Sequence, residues 1–320
     1  MTDKLLAAID LGGTKIYTVI ADSELNILSR VQLPSPARED TDTLLSCLAD
    51  SVHTALNRAG AVRRNLAGCG ICVAGFFDSR NRLLLDSPNL PQIKNLPLEK
   101  ELEKLLGVPV IAENDANAAA LGEARYGAGA GSRNMAFVTV STGIGAGLVL
   151  DGRLYRGNRG FSGEIGHMAV KPDGPLCGCG RRGCLETVAS GTAIARSAQE
   201  LLTSGRKTAL AEIKGKISAT DVFAAAAAGD PPAREILDEA IYCLGIGLVN
   251  LVNLLDPEVL VVGGGVANAG EALFAPLRSI LGKKAVTHIA KNVTLKKAAL
   301  GQEAGVVGML CLLRESCFRQ

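Results

Sequence analysis

The 320-residue chain has no strong excess of charge of either sign, since 34 Lys and Arg residues stand against 32 Asp and Glu residues. The basic residues form no long run, so the sequence provides no electrostatic field that would recruit nucleic acid or anionic lipid. We therefore expect neither nucleic acid nor a membrane among its partners.

A secretory signal and a membrane-spanning segment are also missing from the pattern. The apolar stretch at the N-terminus is too short for a signal-peptide core. The most apolar long segment, residues 240–255, contains Asn250 and Asn253 and stops at Asp256-Pro257, which is short of a bilayer span. Nine cysteines without a secretory signal favour a reducing compartment over a disulfide framework. We expect a cytoplasmic protein.

A pattern of three strands separated by two turns occurs twice in the sequence. Between and after the two copies, apolar segments with helical periodicity alternate with apolar segments typical of strands. The alternation indicates an α/β sheet protein. The alanine-rich segment 219–228 is assigned a helix and no function. The predicted strands are 5–9, 16–21 and 26–33, their second copy 135–140, 146–150 and 153–156, and the further strands 66–74, 108–112 and 259–262; the predicted helices are 41–59, 98–106, 193–202, 219–228 and 232–256.

Two glycine-rich turns separate strands at equivalent points of this repeat. Asp10-Leu-Gly-Gly-Thr-Lys15 and Ser141-Thr-Gly-Ile-Gly-Ala-Gly147 both expose backbone N–H groups that could surround a phosphate. A plain hairpin would also use such glycines, so the pair is the signal and not either turn alone. Neither turn fits a P-loop. Val261-Val-Gly-Gly-Gly265 is a third glycine element, for which an ordinary strand-to-helix turn is an equal alternative.

Three cysteines, Cys177, Cys179 and Cys184, lie within eight positions among glycines that allow tight chain reversal. This spacing favours Zn(II) over simple packing, although three free thiols remain the alternative. Cys69 and Cys72 also have C-x-x-C spacing, but they lie inside an apolar strand and are interpreted as core.

Taken together, these motifs resemble the ROK family of bacterial sugar kinases and repressors, in the actin and hexokinase superfamily. The resemblance covers nearly the whole chain. The matching residues are Asp10-Leu-Gly-Gly-Thr-Lys15, Glu113-Asn-Asp-Ala-Asn117, Ala120-Leu-Gly-Glu123, Thr142-Gly-Ile-Gly145, Gly163-Glu-Ile-Gly-His167 and Cys177-Gly-Cys-Gly-x-x-Gly-Cys-Leu-Glu186.

The fold that this resemblance implies is an actin-like ATPase, or ribonuclease H-like, α/β fold. Its two lobes would share a duplicated core around a central cleft. We expect residues 1–117 and 302–320 to form the small N-terminal lobe. Residues 118–301 would form the large C-terminal lobe, with the zinc loop and the nucleotide-binding turns.

A general base and a sugar-binding shell are also implied. Asp115 would accept the proton of the sugar hydroxyl, although Asn-Asp pairs are ordinarily turns or helix caps. Glu164 and His167 would bind sugar, although their spacing also suits a satisfied pair on a helix surface. The expected sugar-binding residues are Gly75, Asn89, Asn114, Asp115, Glu164, His167 and Glu186.

ATP, Mg(II) and a structural Zn(II) are the implied cofactors. Asp10 is a candidate for holding Mg(II) through water. By resemblance, His167 completes the zinc site of the three cysteines, and the zinc fixes the loop that carries His167 and Glu186. The expected nucleotide-binding residues are Asp10, Gly12, Gly13, Thr14, Lys15, Thr142, Gly143, Gly264 and Gly265, and the expected metal ligands are His167, Cys177, Cys179 and Cys184.

The resemblance thus implies transfer of the ATP γ-phosphoryl group to a hexose hydroxyl, with glucose as the leading substrate. Fructose, mannose or an N-acetylhexosamine are alternatives, as is a noncatalytic sugar-responsive regulator. Segment 74–78, Ala-Gly-Phe-Phe-Asp, departs from the family's usual Pro-Gly-Pro-Val-Asp and adds bulk near the sugar. Relatives suggest a homodimer or a higher homo-oligomer, and the first strand leaves no room for an N-terminal DNA-binding domain.

Overall fold

The computed structural model describes residues 4–318. Within these residues the strands are β1 (Leu5–Leu11), β2 (Lys15–Ala21), β3 (Ile27–Pro34), β4 (Leu66–Val73), β5 (Phe76–Asp78), β6 (Leu83–Asp86), β7 (Val110–Asn114), β8 (Met135–Val140), β9 (Ile144–Leu150), β10 (Arg153–Tyr155), β11 (Val259–Gly263) and β12 (Thr294–Lys297).

The α-helices are interspersed with the strands in sequence, and most of them follow β10. They are α1 (Thr41–Arg58), α2 (Leu98–Leu106), α3 (Asp115–Tyr126), α4 (Glu186–Ala189), α5 (Gly191–Thr203), α6 (Ala219–Ala227), α7 (Pro231–Leu255), α8 (Glu271–Lys284), α9 (Thr287–Ala290) and α10 (Ala304–Cys317). Across residues 4–318, none of the helices combines the length and the apolar character that crossing a membrane requires.

The two five-stranded sheets have the same topology, and this confirms the predicted repeat. Their strand orders are β3-β2-β1-β4-β7 and β10-β9-β8-β11-β12. In each sheet three strands form an antiparallel meander, and two further strands are added in parallel to the first strand of the meander. Strands β5 and β6 form a separate hairpin. The α/β class and the duplicated core are as expected.

Strand β7 begins later than predicted and reaches further. The prediction was 108–112, whereas the strand runs Val110–Asn114. Pro109 has no N–H for a ladder, and its carbonyl accepts from the N–H of Cys69 before Cys69 pairs with Val110. The shift matters because β7 now runs directly into α3, without a loop, at Asn114. The sequence patterns also assigned no element to β5, β6, β12, α3, α4, α8, α9 or α10.

Each face of the first sheet is covered by helices. Alternate residues of β1 point to opposite faces. Ile9 is packed in the core cluster that includes α1 and α2, and Leu6 is packed in the cluster that includes α10. Both side chains are fully buried, and burial of a side chain of this size stabilises the fold by about 1.5–3 kcal/mol. Cys69 and Cys72 are buried core residues, as predicted.

The chain passes from the first sheet to the second through α3 and returns just before α10. Glu123, fully buried near the end of α3, holds both passages. Its carboxylate accepts from the N–H groups of Ala128 at 2.7 Å, Ala299 at 2.9 Å and Leu300 at 2.8 Å. Helices α3 and α10 approach closely, since a Cβ on Gly308 would lie 1.8 Å from a carbonyl oxygen of α3.

Candidate functional site

The junction of β7 and α3 positions Asn114 and Asp115. Asn114 is the N-cap of α3, and its Oδ1 accepts from the N–H of Ala116 at 2.9 Å and of Asn117 at 3.2 Å. Its Nδ2 donates to the carbonyl of Gly75 at 3.2 Å. Asn114 is therefore a cap, the ordinary role of such a residue, and it also joins Asp115 to the predicted rim of the sugar pocket.

Two carboxylates lie near each other at this edge of the sheet. Burial raises the pKa of Asp115, and backbone N–H groups partly offset the effect. The pKa of Asp10, at the end of β1, is raised from 3.8 to about 6 by burial and then by the negative charge of Asp115, while Lys15 and a hydrogen bond with Cys72 lower it. Burial and the nearby charge of Asp115 thus both disfavour the ionised form of Asp10.

Glu113, which precedes Asn114 and Asp115 in the chain, is 4% exposed, and both of its carboxylate oxygens have partners. One carboxylate oxygen accepts from Nδ2 of Asn117 and from the N–H of Asn114, both at 3.0 Å. The other lies 2.6 Å from Nε of Arg156, which follows β10 of the second sheet. Sequence reasoning missed Arg156, because no motif contains it.

Glu164 and His167 form the side of the site that belongs to the second sheet. Glu164 precedes the 3₁₀ turn Ile165–His167, His167 ends it, and Oε2 of Glu164 lies 3.7 Å from Nε2 of His167. Partial burial raises the pKa of Glu164, His167 opposes this, and the charges of Asp115 and Glu186 raise it further. The carboxylates of Asp115 and Glu186 therefore both disfavour ionisation of Glu164.

Glu186 contacts the second glycine turn. Its Oε2 accepts from the N–H of Ile144 at 3.0 Å. A Cβ on Gly143 would lie 2.3 Å from the same oxygen, so only glycine leaves room for this carboxylate. Glu186 therefore lies between the predicted sugar pocket and a predicted phosphate turn.

Gly75 and Asn89 lie beside the first glycine turn and the β5–β6 hairpin. A Cβ on Gly13 would be 3.0 Å from Cβ of Asn89. Gly75 has φ +151°, and a Cβ there would lie 2.3 Å from the carbonyl oxygen of Asp86. Gly75 is therefore bonded to Asn114 through its carbonyl, and Asn89 packs against Gly13.

The predicted metal ligands meet at one point. The ligand atoms of His167, Cys177, Cys179 and Cys184 all lie within 4.8 Å of one another. Nδ1 of His167 is 3.6 Å from Sγ of Cys177, and the sulfurs of Cys179 and Cys184 are 3.6 Å apart. A tetrahedral zinc with Zn–S bonds of about 2.3 Å has sulfur–sulfur edges of about 3.8 Å. The donor set therefore fits Zn(II), and Nε2 of His167 remains directed to Glu164.

A pocket of about 450 Å³ lies next to the second glycine turn. The third glycine element reaches it through Gly265, whereas Gly264 does not line it. Gly264 has φ +84°, and a Cβ there would lie 2.4 Å from the carbonyl oxygen of Val140. Its lining includes none of Asp10, Gly12, Gly13, Thr14 and Lys15 of the first turn. The lining residues are Ser141, Thr142, Gly191, Thr192, Ala195, Ser218, Ala219, Thr220, Phe223, Gly265, Val266, Asn268 and Ala269.

Helix α6 was given no functional role from its alanine-rich sequence, yet its start lines this pocket. Ser218 caps the helix by accepting from the N–H of Asp221 at 3.3 Å, and Thr220 and Phe223 face the pocket. The only sequence signal was the Ser-x-x-Asp capping pattern, which predicts a helix start but no ligand.

Comparisons with known proteins find similarity over nearly the whole chain. The model of the ROK family matches residues 6–316. A glucokinase of Halalkalibacterium halodurans is 37% identical over 312 residues, 96% of this chain and 94% of that protein. An N-acetylmannosamine kinase of Citrobacter koseri is 35% identical, covering 95% of this chain and 97% of that protein. A ROK family glucokinase from Streptomyces griseus, solved in complex with glucose and AMPPNP, is similar with a TM-score of 0.81 and 34% identity, over 97% of this chain and 99% of that one.

Proposed function

The chain belongs to the ROK family, and on this basis we propose that it is an ATP-dependent hexose kinase that converts glucose to glucose 6-phosphate. The observation that carries the proposal is the group of carboxylates at one site. Asp115 lies at the end of a parallel strand, and its charge influences both Asp10 and Glu164. This is the arrangement that a base, a phosphate site and a sugar shell require.

Asp115 is the general base in this proposal. Phosphoryl transfer requires alignment of the hydroxyl with the γ-phosphate and a carboxylate that accepts the hydroxyl proton. Burial raises the pKa of Asp115, which brings its basicity closer to that needed for this proton transfer. Asn114 fixes the position of Asp115 through the helix cap and through Gly75.

The sugar is held by Asn114, Glu164, His167 and Glu186, with Gly75 and Asn89 at the rim. Carboxylates and an imidazole nitrogen can each bond adjacent hydroxyls, and a missing hydroxyl then leaves a buried polar group unpaired at a cost of about 1–3 kcal/mol. Support for these roles comes from the electrostatic coupling of Glu164 to Asp115 and Glu186.

ATP is the phosphoryl donor. The pocket beside Thr142 and Gly265 is large enough for an adenosine group, and the glycine turn next to Gly143 offers backbone N–H groups to phosphate. Asp10 and Lys15 act from the first turn. Asp10 is an oxygen donor that suits Mg(II), which when bound neutralises charge on the phosphates.

The cysteine cluster with His167 is a structural zinc site. Four protein ligands leave no open position, so the metal organises the loop and takes no part in phosphoryl transfer. Its effect on the sugar would be indirect, because the imidazole of His167 has Nδ1 beside the Cys177 sulfur and Nε2 beside Glu164.

We also propose the division into a small lobe of residues 1–117 and 302–320 and a large lobe of residues 118–301. Support comes from the separate sheets and from the packing of α10 on the first sheet. Residues 1–3 and 319–320 lie outside the described range. A homodimer or higher homo-oligomer and a cytoplasmic location stay predictions, of which the first is tested by light scattering.

An assay of ADP release with glucose, fructose, mannose and N-acetylhexosamines tests the function. We expect turnover with glucose. If the folded protein releases no ADP with any of these sugars, the kinase proposal is wrong. Polyphosphate in place of ATP, in the same assay, tests the identity of the donor.

A further inference from the structure

The chain after β10 forms a closed loop, residues 156–162, which we call the clasp loop. The N–H of Ser162 donates to the carbonyl of Arg156 at 3.2 Å, and its hydroxyl donates to the carbonyl of Tyr155 at 2.5 Å. The next residue, Gly163, is fixed to β9 because its carbonyl accepts from the N–H of Ala146 at 3.1 Å. The loop therefore ends two residues before Glu164, and Gly163 between them is bonded to β9.

The clasp loop contacts the start of the β5–β6 hairpin, which belongs to the other half of the cleft. The N–H of Ser79 donates to the carbonyl of Arg159 at 3.0 Å, and the guanidinium of Arg80 donates to Oδ1 of Asn158. A Cβ on Gly160 would lie 2.5 Å from the carbonyl oxygen of Phe77, so the two backbones touch at this glycine.

Two aromatic rings complete this contact. The rings of Phe76 and Phe161 lie edge to face, with centroids 5.7 Å apart and an interplanar angle of 85°. The guanidinium of Arg159 covers the Phe161 ring at 5.2 Å from its centroid. This geometry is the one that aromatic quadrupoles favour, and the cation adds to it.

The positions of the rings connect them to the sugar shell. Phe76 directly follows Gly75, whose carbonyl accepts from Asn114. Phe161 precedes Glu164 by three residues in the same segment. The ring contact therefore joins the segment next to Asn114 with the segment that carries Glu164.

We propose that the contact between Phe76 and Phe161 determines the sugar specificity of the site. The rings hold the clasp loop closed, which sets the position of Glu164, and they fill the rim so that the site accepts hexoses bearing only hydroxyls and rejects N-acetylhexosamines. This inference rests on the proposed kinase function. Overall identity alone does not explain such a preference, because a glucokinase is 37% and an N-acetylmannosamine kinase 35% identical to this chain.

The physical basis is the rigidity of the surroundings. An N-acetyl group is much larger than a hydroxyl, and a packed site yields to added volume only by displacing its own side chains. Here both rings are attached to backbones that are bonded to each other through Ser79 and Arg159. Displacement of either ring would therefore break the closure as well as the ring contact.

The test compares Phe76→Ala, Phe161→Ala and the double variant in steady-state kinetics with glucose, N-acetylglucosamine and N-acetylmannosamine. We expect the wild type to prefer glucose in kcat/KM by about 100-fold or more. Each variant should raise the KM for glucose by about tenfold, with a smaller change in kcat, and should reduce the preference by about tenfold. The double variant should resemble the single ones, because both remove one contact.

Tyr155→Ala is the matched control, because Tyr155 is an aromatic residue next to the same loop and is 49% exposed. This variant should leave the KM for glucose and the sugar preference unchanged. Phe76→Leu removes the aromatic ring but keeps apolar bulk, and it replaces the alanine variants in this test if they do not fold. An unchanged sugar preference in the ring variants, or a wild type that prefers an N-acetylhexosamine, would overturn this inference while the kinase function stands. A folded wild type that phosphorylates no hexose would overturn both.

Discussion

The carboxylate of Glu186 accepts a hydrogen bond from the backbone N–H of Ile144, in the turn that we assign to phosphate. A residue of the sugar shell therefore has a direct bond to the nucleotide side of the site. A substitution at either end of this hydrogen bond should therefore affect binding of both glucose and ATP.

Gly143→Ala tests this relationship. The added Cβ would lie 2.3 Å from the Glu186 oxygen and must displace it. We expect KM to rise for both glucose and ATP, with a loss in kcat/KM of about 100-fold. Gly145→Ala is the control, because its Cβ would meet its nearest neighbour, Cβ of Ala116, at an ordinary 3.4 Å. Equal kinetics for the two variants would contradict the role of this bond.

The pH dependence of turnover tests Asp115 as the base. Only the ionised carboxylate can accept a proton, and burial raises its pKa above 3.8. As pH falls, kcat/KM for glucose should therefore begin to decline at a higher pH than for an exposed aspartate. Asp115→Asn should lower kcat by about 10²–10⁴-fold and retain glucose binding in calorimetry. Unchanged turnover in this variant would remove Asp115 from the mechanism.

Asp10→Asn should stabilise the fold while impairing catalysis. The folded-state pKa of Asp10 is about 6 against 3.8 for the free group, so the folded state retains a proton that the unfolded chain has released. Stability contributed by the protonated form is complete below about pH 4 and is lost as pH rises through about 6. The variant should exceed the wild type by about 3 kcal/mol in urea unfolding at pH 7, and the two should converge near pH 4. A less stable variant at pH 7 would contradict this.

Metal analysis of protein purified without added metal should find zinc bound to the wild type. Cys184→Ser replaces a buried ligand, and we expect loss of the metal together with weaker glucose binding, because His167 is shared by the two sites. Cys47→Ser, which changes a half-buried thiol outside the cluster, is the control and should retain zinc. A wild type without zinc would refute the ligand assignment.

Glu123→Gln should destabilise the protein, because the carboxylate of Glu123 is fully buried and accepts only backbone N–H groups. An amide keeps one acceptor oxygen and turns an N–H₂ group toward donors. We expect a loss of about 3 kcal/mol in the free energy of unfolding, measured by urea titration. The control is Glu212→Gln, at an exposed position of a 3₁₀ turn. Equal stability of both variants would show that these bonds contribute little.

The strand repeat was predictable because a meander is encoded locally, by alternating apolar residues and glycine turns. The group around Asp115 was predictable for another reason, since Glu113-Asn-Asp-Ala-Asn117 is a contiguous motif. The start of β7 was misjudged because apolar character continues through Val108, whereas the hydrogen-bond ladder depends on Pro109 and on pairing with β4.

The residues that sequence reasoning missed share a dependence on distant parts of the chain. Arg156 follows β10 of the second sheet and meets Glu113 of β7 in the first sheet, a pairing that no local pattern encodes. Phe76 could be recognised as added bulk near the sugar, but its partner Phe161 lies in a loop without a motif. The pocket lining of α6 likewise depends on where the helix docks.

Helix α10 lies at the end of the sequence and packs on strands near its beginning. Leu6 and Ala8 are covered by residues such as Met309 and Leu313, about three hundred positions later in the chain. During synthesis one face of the first sheet therefore stays uncovered until helix α10 has left the ribosome. The edge of the sheet that carries Asp10 and Asp115 becomes complete only then, so a chain that stops before α10 should be inactive.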